Sequence, residues 1–258
     1  MPAQNHIELI AKAMSVIEVL AETDKPVDLQ ELTNRVGLVK SSVFRILFTL
    51  RELGYVEQHG RGRYSLTMKV CGLGKAHLAH ASLTDLVHPH LERLRAATNE
   101  SAWLAQWLGR KAVIVDVAEA SQQRLRLSLA VGDKCPLHAS SLGKSIAAWL
   151  RPDELARVLG DRELRRFTPH TTCERTTLLR ELAQVRERGY ATNDQETVEG
   201  AFVAGAPVFD TRGRVFAAVS VSTPTARCTA AKRESLIEAV RQAGAEITRE
   251  LTSLAYEA

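Results

Sequence analysis

The stretch VGLVKSSVFRILFTLRELGYVEQHGRGRYSL, Val36 to Leu66, sets Lys, Ser and Arg around an apolar stripe and follows it with a Gly/Arg-rich turn between two short alternating runs. Val43, Ile46, Leu47, Leu50 and Leu53 recur at helical spacing between Lys40 and Gly54, which predicts a helix with one apolar face and a glycine stop. Turning about 100° per residue away from that stripe leaves Ser42, Arg45 and Thr49 outward, flanked by Ser41 and Phe44, with Lys40 at the helix start. YVEQ and RYSL then read as two strands around HGRG, whose glycines permit a tight hairpin that projects Arg61 and Arg63.

Two helices come before this one. Ile7, Ile10, Met14, Ile17 and Leu20 give a first amphipathic helix that ends near Pro26. Asp28 with Glu31 three residues later resembles a capping box and opens a second, with Leu29, Leu32 and Val36 inward and Gly37 as its left-handed stop. Three helices and a hairpin make a winged helix-turn-helix, whose second motif helix enters the major groove by its N-terminal half. Small hydroxyl residues allow close approach there, and Arg and Lys reach base edges and phosphates. Lys40, Ser41, Ser42 and Arg45 are therefore expected in the groove, Phe44 against a thymine methyl, and Arg61 and Arg63 on phosphates or in the minor groove. Charge agrees. From Arg35 to Lys75 eight cations face two carboxylates, a net of +6 where the whole chain carries +4, and such a concentration attracts polyanions. A helical bundle with a solvated basic hairpin is the alternative.

The whole chain sets the outer bounds. Its 258 residues suit two domains, and 45% hydrophobic with 25% charged residues is ordinary globular composition. No apolar run approaches the roughly 20 residues of a membrane span, and the first residues lack the pattern of a secretory signal. Cys71, Cys135, Cys173 and Cys228 are scattered without a CxxC pair, so reduced thiols are expected. These features predict a cytoplasmic protein without membrane, metal or cofactor.

LTMKVCGLGKAHLAHASLTDLVHPHLERLRAAT reads as helical apart from breaks near Gly72 to Gly74 and at Pro89, with a linker helix from about Met68 to His80. SAWLAQWL and KAVIVDVAEA, joined at Gly109 and Arg110, form a predicted hairpin, and RLRLSLAV adds a strand. Helices follow from about Gly143 to Leu150, after Pro152, and from about Thr177 to Arg188. A final hairpin, GAFVAGAPVFD with RVFAAVSVST, precedes a last helix near Ala230. This order implies an α+β sheet domain.

Several motifs invite chemistry. GKS at Gly143 to Ser145 would need a glycine at position 138 for a phosphate-binding loop, and His138 stands there, so that reading is rejected. Ser141 and Lys144 have the S-x-x-K spacing of a nucleophile and base, without the companion motifs such hydrolases carry. His77, His80, His88 and His90 lack a carboxylate placed to complete a metal site and are read as solvated. TNDQE is a polar loop, with a ligand-facing role as the sharper reading.

The segment LAETDKPVDLQELTNRVGLVKSSVFRILFTLRELGYVEQHGRGRYSLT, followed by LHASSLGKSIAAWL, VRERGYATNDQET and AAVSVSTPTAR in order and spacing, resembles the IclR family of bacterial transcription regulators from about Ile7 to Leu254. The resemblance implies a winged helix-turn-helix domain over residues 1–67, a linker helix over 68–81 and a GAF-like or PAS-like effector-binding domain over 82–258. It also implies a pocket on the sheet, closed by the TNDQE loop and by the segment leading into the GKS helix. Carried over by position, Ser141 and Leu142 offer backbone N–H groups to a carboxylate. Asn193 stands where many relatives have Asp, and Asp194 follows as the second acidic position. Ser220 and Ser222 alternate with Val219 and Val221 and share one face. Leu127 and Cys135 fall at further lining positions. Phe202-Val203 replaces the common Arg-Cys, making the Val203 wall apolar. Arg124 either pairs with an anionic effector or is an exposed strand residue.

The expectation is an effector-responsive DNA-binding regulator of catabolic genes, a repressor ahead of an activator. It would act on double-stranded, pseudo-palindromic operator DNA as a homodimer paired through the first helix and the linker helix, or as a dimer of dimers, a homotetramer. Its effector would be a small organic acid with an apolar body, aromatic ones included. Two other classes stay open: an interaction module that does not bind DNA, and a sensor with residual hydrolase activity at Ser141 and Lys144.

Overall fold

The structure is a computed structural model that describes residues 7–23, 25–60, 62–70, 72, 83–120, 127–160 and 163–253; Arg61, Arg124, His77, His80 and most of the expected linker helix lie outside the described residues. The chain divides into two compact units, Met1–Ser82 and Leu83–Ala258.

In the first unit, α1 (Glu8–Ala21), α2 (Leu29–Val36) and α3 (Lys40–Glu52) pack with a small antiparallel sheet of β1 (Val27–Asp28), β2 (Val56–His59) and β3 (Arg63–Leu66), in the order β1-β3-β2. The Asp28 carboxylate accepts the Glu31 N–H at 2.9 Å, capping α2. Gly37, with φ 71°, stops the helix and donates its N–H to Thr33 O. Val16, Leu20, Leu32, Val43, Ile46, Leu47 and Leu50 form the core, joined by Val27, Val56 and Tyr64 from the strands. Each large aliphatic among them contributes about 1.5–3 kcal/mol on burial. Leu53 was expected in that core and is instead 52% exposed, at the C-terminal end of α3 on the open groove it shares with Ile46 and Leu50.

The second unit is built on a six-stranded antiparallel sheet in the order β6-β5-β4-β9-β8-β7: β4 (Ala102–Trp107), β5 (Ala112–Ala118), β6 (Lys134–Cys135), β7 (Ala191–Asp194), β8 (Ala201–Phe209) and β9 (Val215–Pro224). Alternation sends Leu104, Phe202, Ala204, Val219 and Val221 to one face, under α4 (Leu83–Thr98) and α8 (Ala230–Ser253). Trp103, Ala105, Ile114 and Ala218 face the other way, toward α5 (Ser141–Ala147) and α7 (Arg175–Arg188), with α6 (Pro152–Leu159) alongside. The α+β reading holds.

Four details differ from expectation. α4 runs unbroken through Pro89, since Val87, Leu91 and Leu94 bury one face against the sheet and outweigh one lost backbone bond. Residues 127–131 form no strand; the edge strand is the two-residue β6. β7 lies where a polar loop was expected. His90 is buried and bonded to Glu250 at 2.6 Å, and His88 meets Asp116 at 2.9 Å, so neither is simply solvated.

Candidate DNA-contact surface and effector cavity

On α3, burying Val43, Ile46, Leu47 and Leu50 turns Ser41, Phe44 and Arg45 to the surface, and Lys40 is exposed as the first residue of the helix. Ser42 is half-buried and lies in a groove between α1 and α3 with Arg45 and Thr49. Arg63 is exposed at the start of β3. Among the described residues, Lys40, Arg45 and Arg63 have no carboxylate partner, so their charge is not neutralised within the unit. Phe48, half exposed beside Phe44, was missed by the sequence reading; the Arg51 guanidinium sits 5.4 Å from its ring centroid and donates to Gln58 on β2 at 2.7 Å. That bond ties the helix to the hairpin.

In the second unit a cavity of about 220 Å³ opens on the α5 face of the sheet. The strands supply Ile114, Val203 and Ser220, and the segment entering α5 supplies Ser140, Ser141 and Leu142. Asn193, at the end of β7, contributes with Thr197 and Val198 from the following loop. Leu127, Leu129, Lys134, Cys135, Pro136 and Phe167 complete the lining. The structure thus brings Leu127, Cys135, Ser141, Leu142, Asn193, Val203 and Ser220 together, as the sequence led one to expect.

Close packing builds this site. A Cβ at Gly205 would lie 3.0 Å from the Ser141 backbone, so α5 approaches β8 this closely only over glycine. A Cβ at Gly143 would overlap the Pro136 carbonyl, so Gly143 in the GKS sequence lets the segment entering α5 fold back on the helix, without any phosphate loop. Ser140 caps α5 by accepting the Gly143 N–H at 2.9 Å. Ser220 is fully buried, and its hydroxyl has no hydrogen-bond partner among the described residues. Burial pushes the Cys135 thiol up to about 12, which leaves it an unreactive, apolar part of the wall.

Two expected lining residues sit elsewhere. Asp194 follows Asn193 on β7, so alternation sends it to the opposite face, where Arg233 of α8 donates to it at 2.8 Å. Phe202 is on that face too, with the Arg233 guanidinium 4.2 Å from its ring centroid. Ser222 shares the cavity face with Ser220 and pairs with Val203, but does not itself line the cavity.

The hydrolase reading fails on geometry. Lys144 is fully buried, and its ammonium donates to Glu181 at 2.5 Å and to Glu196 at 2.6 Å, so it has no free lone pair to serve as a base. No hydrogen bond joins it to Ser141 among the described residues. The sequence placed Glu196 in the TNDQE loop but gave no sign that it meets Lys144, and it gave none of Glu181, Ile114, Phe167 or Val198, since these come from distant segments. Only the Ser140 cap carried a local signal.

The loop after β7 is tightly organised. The Asn193 side chain accepts the Glu196 N–H at 2.7 Å and donates to the Thr197 hydroxyl at 2.6 Å. Thr168 and Thr171 donate to the Gln195 and Glu196 carbonyls, each at 2.7 Å. An aspartate at 193 could accept but not donate, so the amide suits this chain's loop.

A three-helix unit with a β-hairpin wing and unneutralised cations on its third helix defines a helix-turn-helix DNA-binding protein. A family model described as "IclR helix-turn-helix domain" matches residues 9–60, and one described as "Bacterial transcriptional regulator IclR C-terminal" matches residues 65–249. The chain belongs to the IclR family of bacterial transcriptional regulators. It is similar to the transcriptional regulator KdgR of Escherichia coli, 31% identical over 95% of this chain and 93% of that protein. The transcriptional repressor IclR of Escherichia coli is 30% identical over 96% of this chain and 91% of that protein. Among solved structures, an IclR-type regulator from Silicibacter sp. TM1040 shares the fold with a TM-score of 0.85 at 24% identity, covering 95% of this chain and 96% of that one. An IclR homologue from Microbacterium hydrocarbonoxydans complexed with 4-hydroxybenzoate has a TM-score of 0.73 at 23% identity, covering 95% and 99%. Among the described residues no helix is long and apolar enough to cross a membrane.

Proposed function

We propose that this regulator is a repressor whose DNA affinity is set by a small monocarboxylate bound in the cavity of its second unit. The unpartnered Ser220 hydroxyl, fully buried yet on the cavity wall, carries the reading, because a buried hydroxyl without a partner is destabilising unless something else satisfies it. The Ser141 and Leu142 N–H groups, which have no partner among the described residues, complete the polar end. Ile114, Leu127, Leu129, Phe167 and Val203 favour an apolar body. At about 220 Å³ the cavity is below the range of drug-sized sites, so a single ring or short chain is its natural occupant. The 4-hydroxybenzoate held by the Microbacterium homologue has those dimensions and makes the first probe.

Lys40, Ser41, Ser42, Phe44 and Arg45 read the major groove, and Arg63 with Arg61 holds phosphates. Ile7, Leu9, Ile10 and Met14 are each at least 50% exposed along α1, which supports pairing of two copies through that helix and a pseudo-palindromic operator. The effector acts only through unequal affinity for the DNA-bound and free states. Thermal unfolding against a panel of acids tests the cavity: benzoate-type acids should raise the melting temperature. A rise with glyoxylate or pyruvate and none with apolar acids overturns the ligand assignment.

A further inference from the structure

A fully buried ammonium between two carboxylates is weak as a device for stability, since removing three charged groups from water offsets most of their mutual attraction. Lys144 nevertheless occupies such a place, and it does not line the cavity. Its position suggests another use. Lys144 sits on α5, whose first residues Ser141 and Leu142 line the cavity; Glu196 belongs to the loop that lines it with Thr197 and Val198. The 2.6 Å bond between them therefore links two segments that each supply part of the wall. The other oxygen of Glu196 is buried without a partner, and among the described residues Lys144 is the side chain that grips this carboxylate. Glu181, on α7, takes the same ammonium but belongs to an element that lines nothing of the cavity. The backbone beside Glu196 is strained as well: Gln195 adopts a φ of 64°, a conformation that side chains other than glycine seldom take.

We propose that Lys144 and Glu196 are positioning residues of the effector site, their ion pair fixing the loop after β7 against α5 and so setting how tightly a ligand is held. The proposal rests on the cavity being the effector site. It requires that Glu196 and Glu181, bonded to the same ammonium, behave differently when neutralised.

The test compares the full-length chain with its Glu196→Gln and Glu181→Gln variants by amide hydrogen exchange without ligand, then by calorimetry with 4-hydroxybenzoate. Glu196→Gln should speed exchange over residues 193–200 by about tenfold, leave β4 and β9 unchanged, and weaken the acid by a similar factor. Glu181→Gln should leave loop exchange and affinity within about twofold of the parent. Unchanged loop exchange in Glu196→Gln, or equal effects of the two variants, overturns the proposal. Should Glu196→Gln not fold, Glu196→Asp, one methylene shorter, carries the same comparison. If the parent binds no acid while loop exchange still separates the variants, the ligand assignment fails and the Lys144–Glu196 latch stands; if the acid binds and the variants do not separate, the latch fails and the ligand assignment stands.

Discussion

Replacing Ser220 by alanine should move stability and ligand affinity in opposite directions. The hydroxyl is fully buried and makes no hydrogen bond among the described residues, so the unliganded protein carries an unsatisfied polar group. Such a group destabilises by about 1–3 kcal/mol, and alanine removes it while keeping the backbone bonds of β9 to its neighbours. Taking the low end, Ser220→Ala should gain about 1 kcal/mol, or roughly 2–4 °C in melting temperature for a unit of this size. In the complex the same hydroxyl is satisfied by the ligand, and a hydrogen bond to a charged group is worth about 1.5–3 kcal/mol. Affinity for the acid should therefore fall by about tenfold or more. Thermal unfolding without ligand and calorimetry with the best acid from the panel measure the two quantities. If Ser220→Ala lowers the melting temperature and leaves affinity intact, the hydroxyl has a structural partner and the cavity reading loses its main support.

Other outcomes follow from the same geometry. Arg45→Ala should weaken operator binding, and if Arg45 holds a phosphate it should reduce the slope of log affinity against log salt by about 0.9 per contact, measured by anisotropy at several salt concentrations. Ile10→Glu places a charge on the exposed apolar face of α1 and should shift sedimentation toward the monomer; an unchanged oligomer would remove α1 from the interface. Burial pushes Glu196 up to about 7 against the pull of Lys144, with Glu181 adding to the rise, so between about 4.5 and 7 the folded state holds a proton that the unfolded chain releases, and the Lys144–Glu196 bond is an ion pair above that range. That contribution is full below about 4.5 and is lost as pH rises through 7, so the parent should lose stability relative to Glu196→Gln between those limits, read from melting temperatures.

What the sequence revealed was local. The Asp28 cap, the Gly37 stop, the α3 stripe and the two long hairpins each depend on residues a few positions apart, where helical or strand period speaks directly. Strand β7 was hidden because Ala191–Asp194 is short and polar and derives its order from pairing with β8. One step of alternation decided which of two adjacent residues reaches the cavity: Asn193 does, while Asp194 crosses to Arg233. Pro89 misled because a local rule for helix breaking gave way to burial of one face of α4. The meeting of Lys144 with its two carboxylates had no local signal, since they lie 37 and 52 residues away along the chain.

The central claim is that one small acid in the second unit controls DNA binding by the first. Binding of the full-length protein to the intergenic DNA upstream of its own gene, at two salt concentrations and with and without the acid that most raises its melting temperature, tests this directly. The expected result is sequence-specific binding that weakens with salt and that the acid changes by at least about fivefold, the lower end of typical coupling between sites. Specific binding that no stabilising acid alters, or no specific binding under either salt condition, would contradict it.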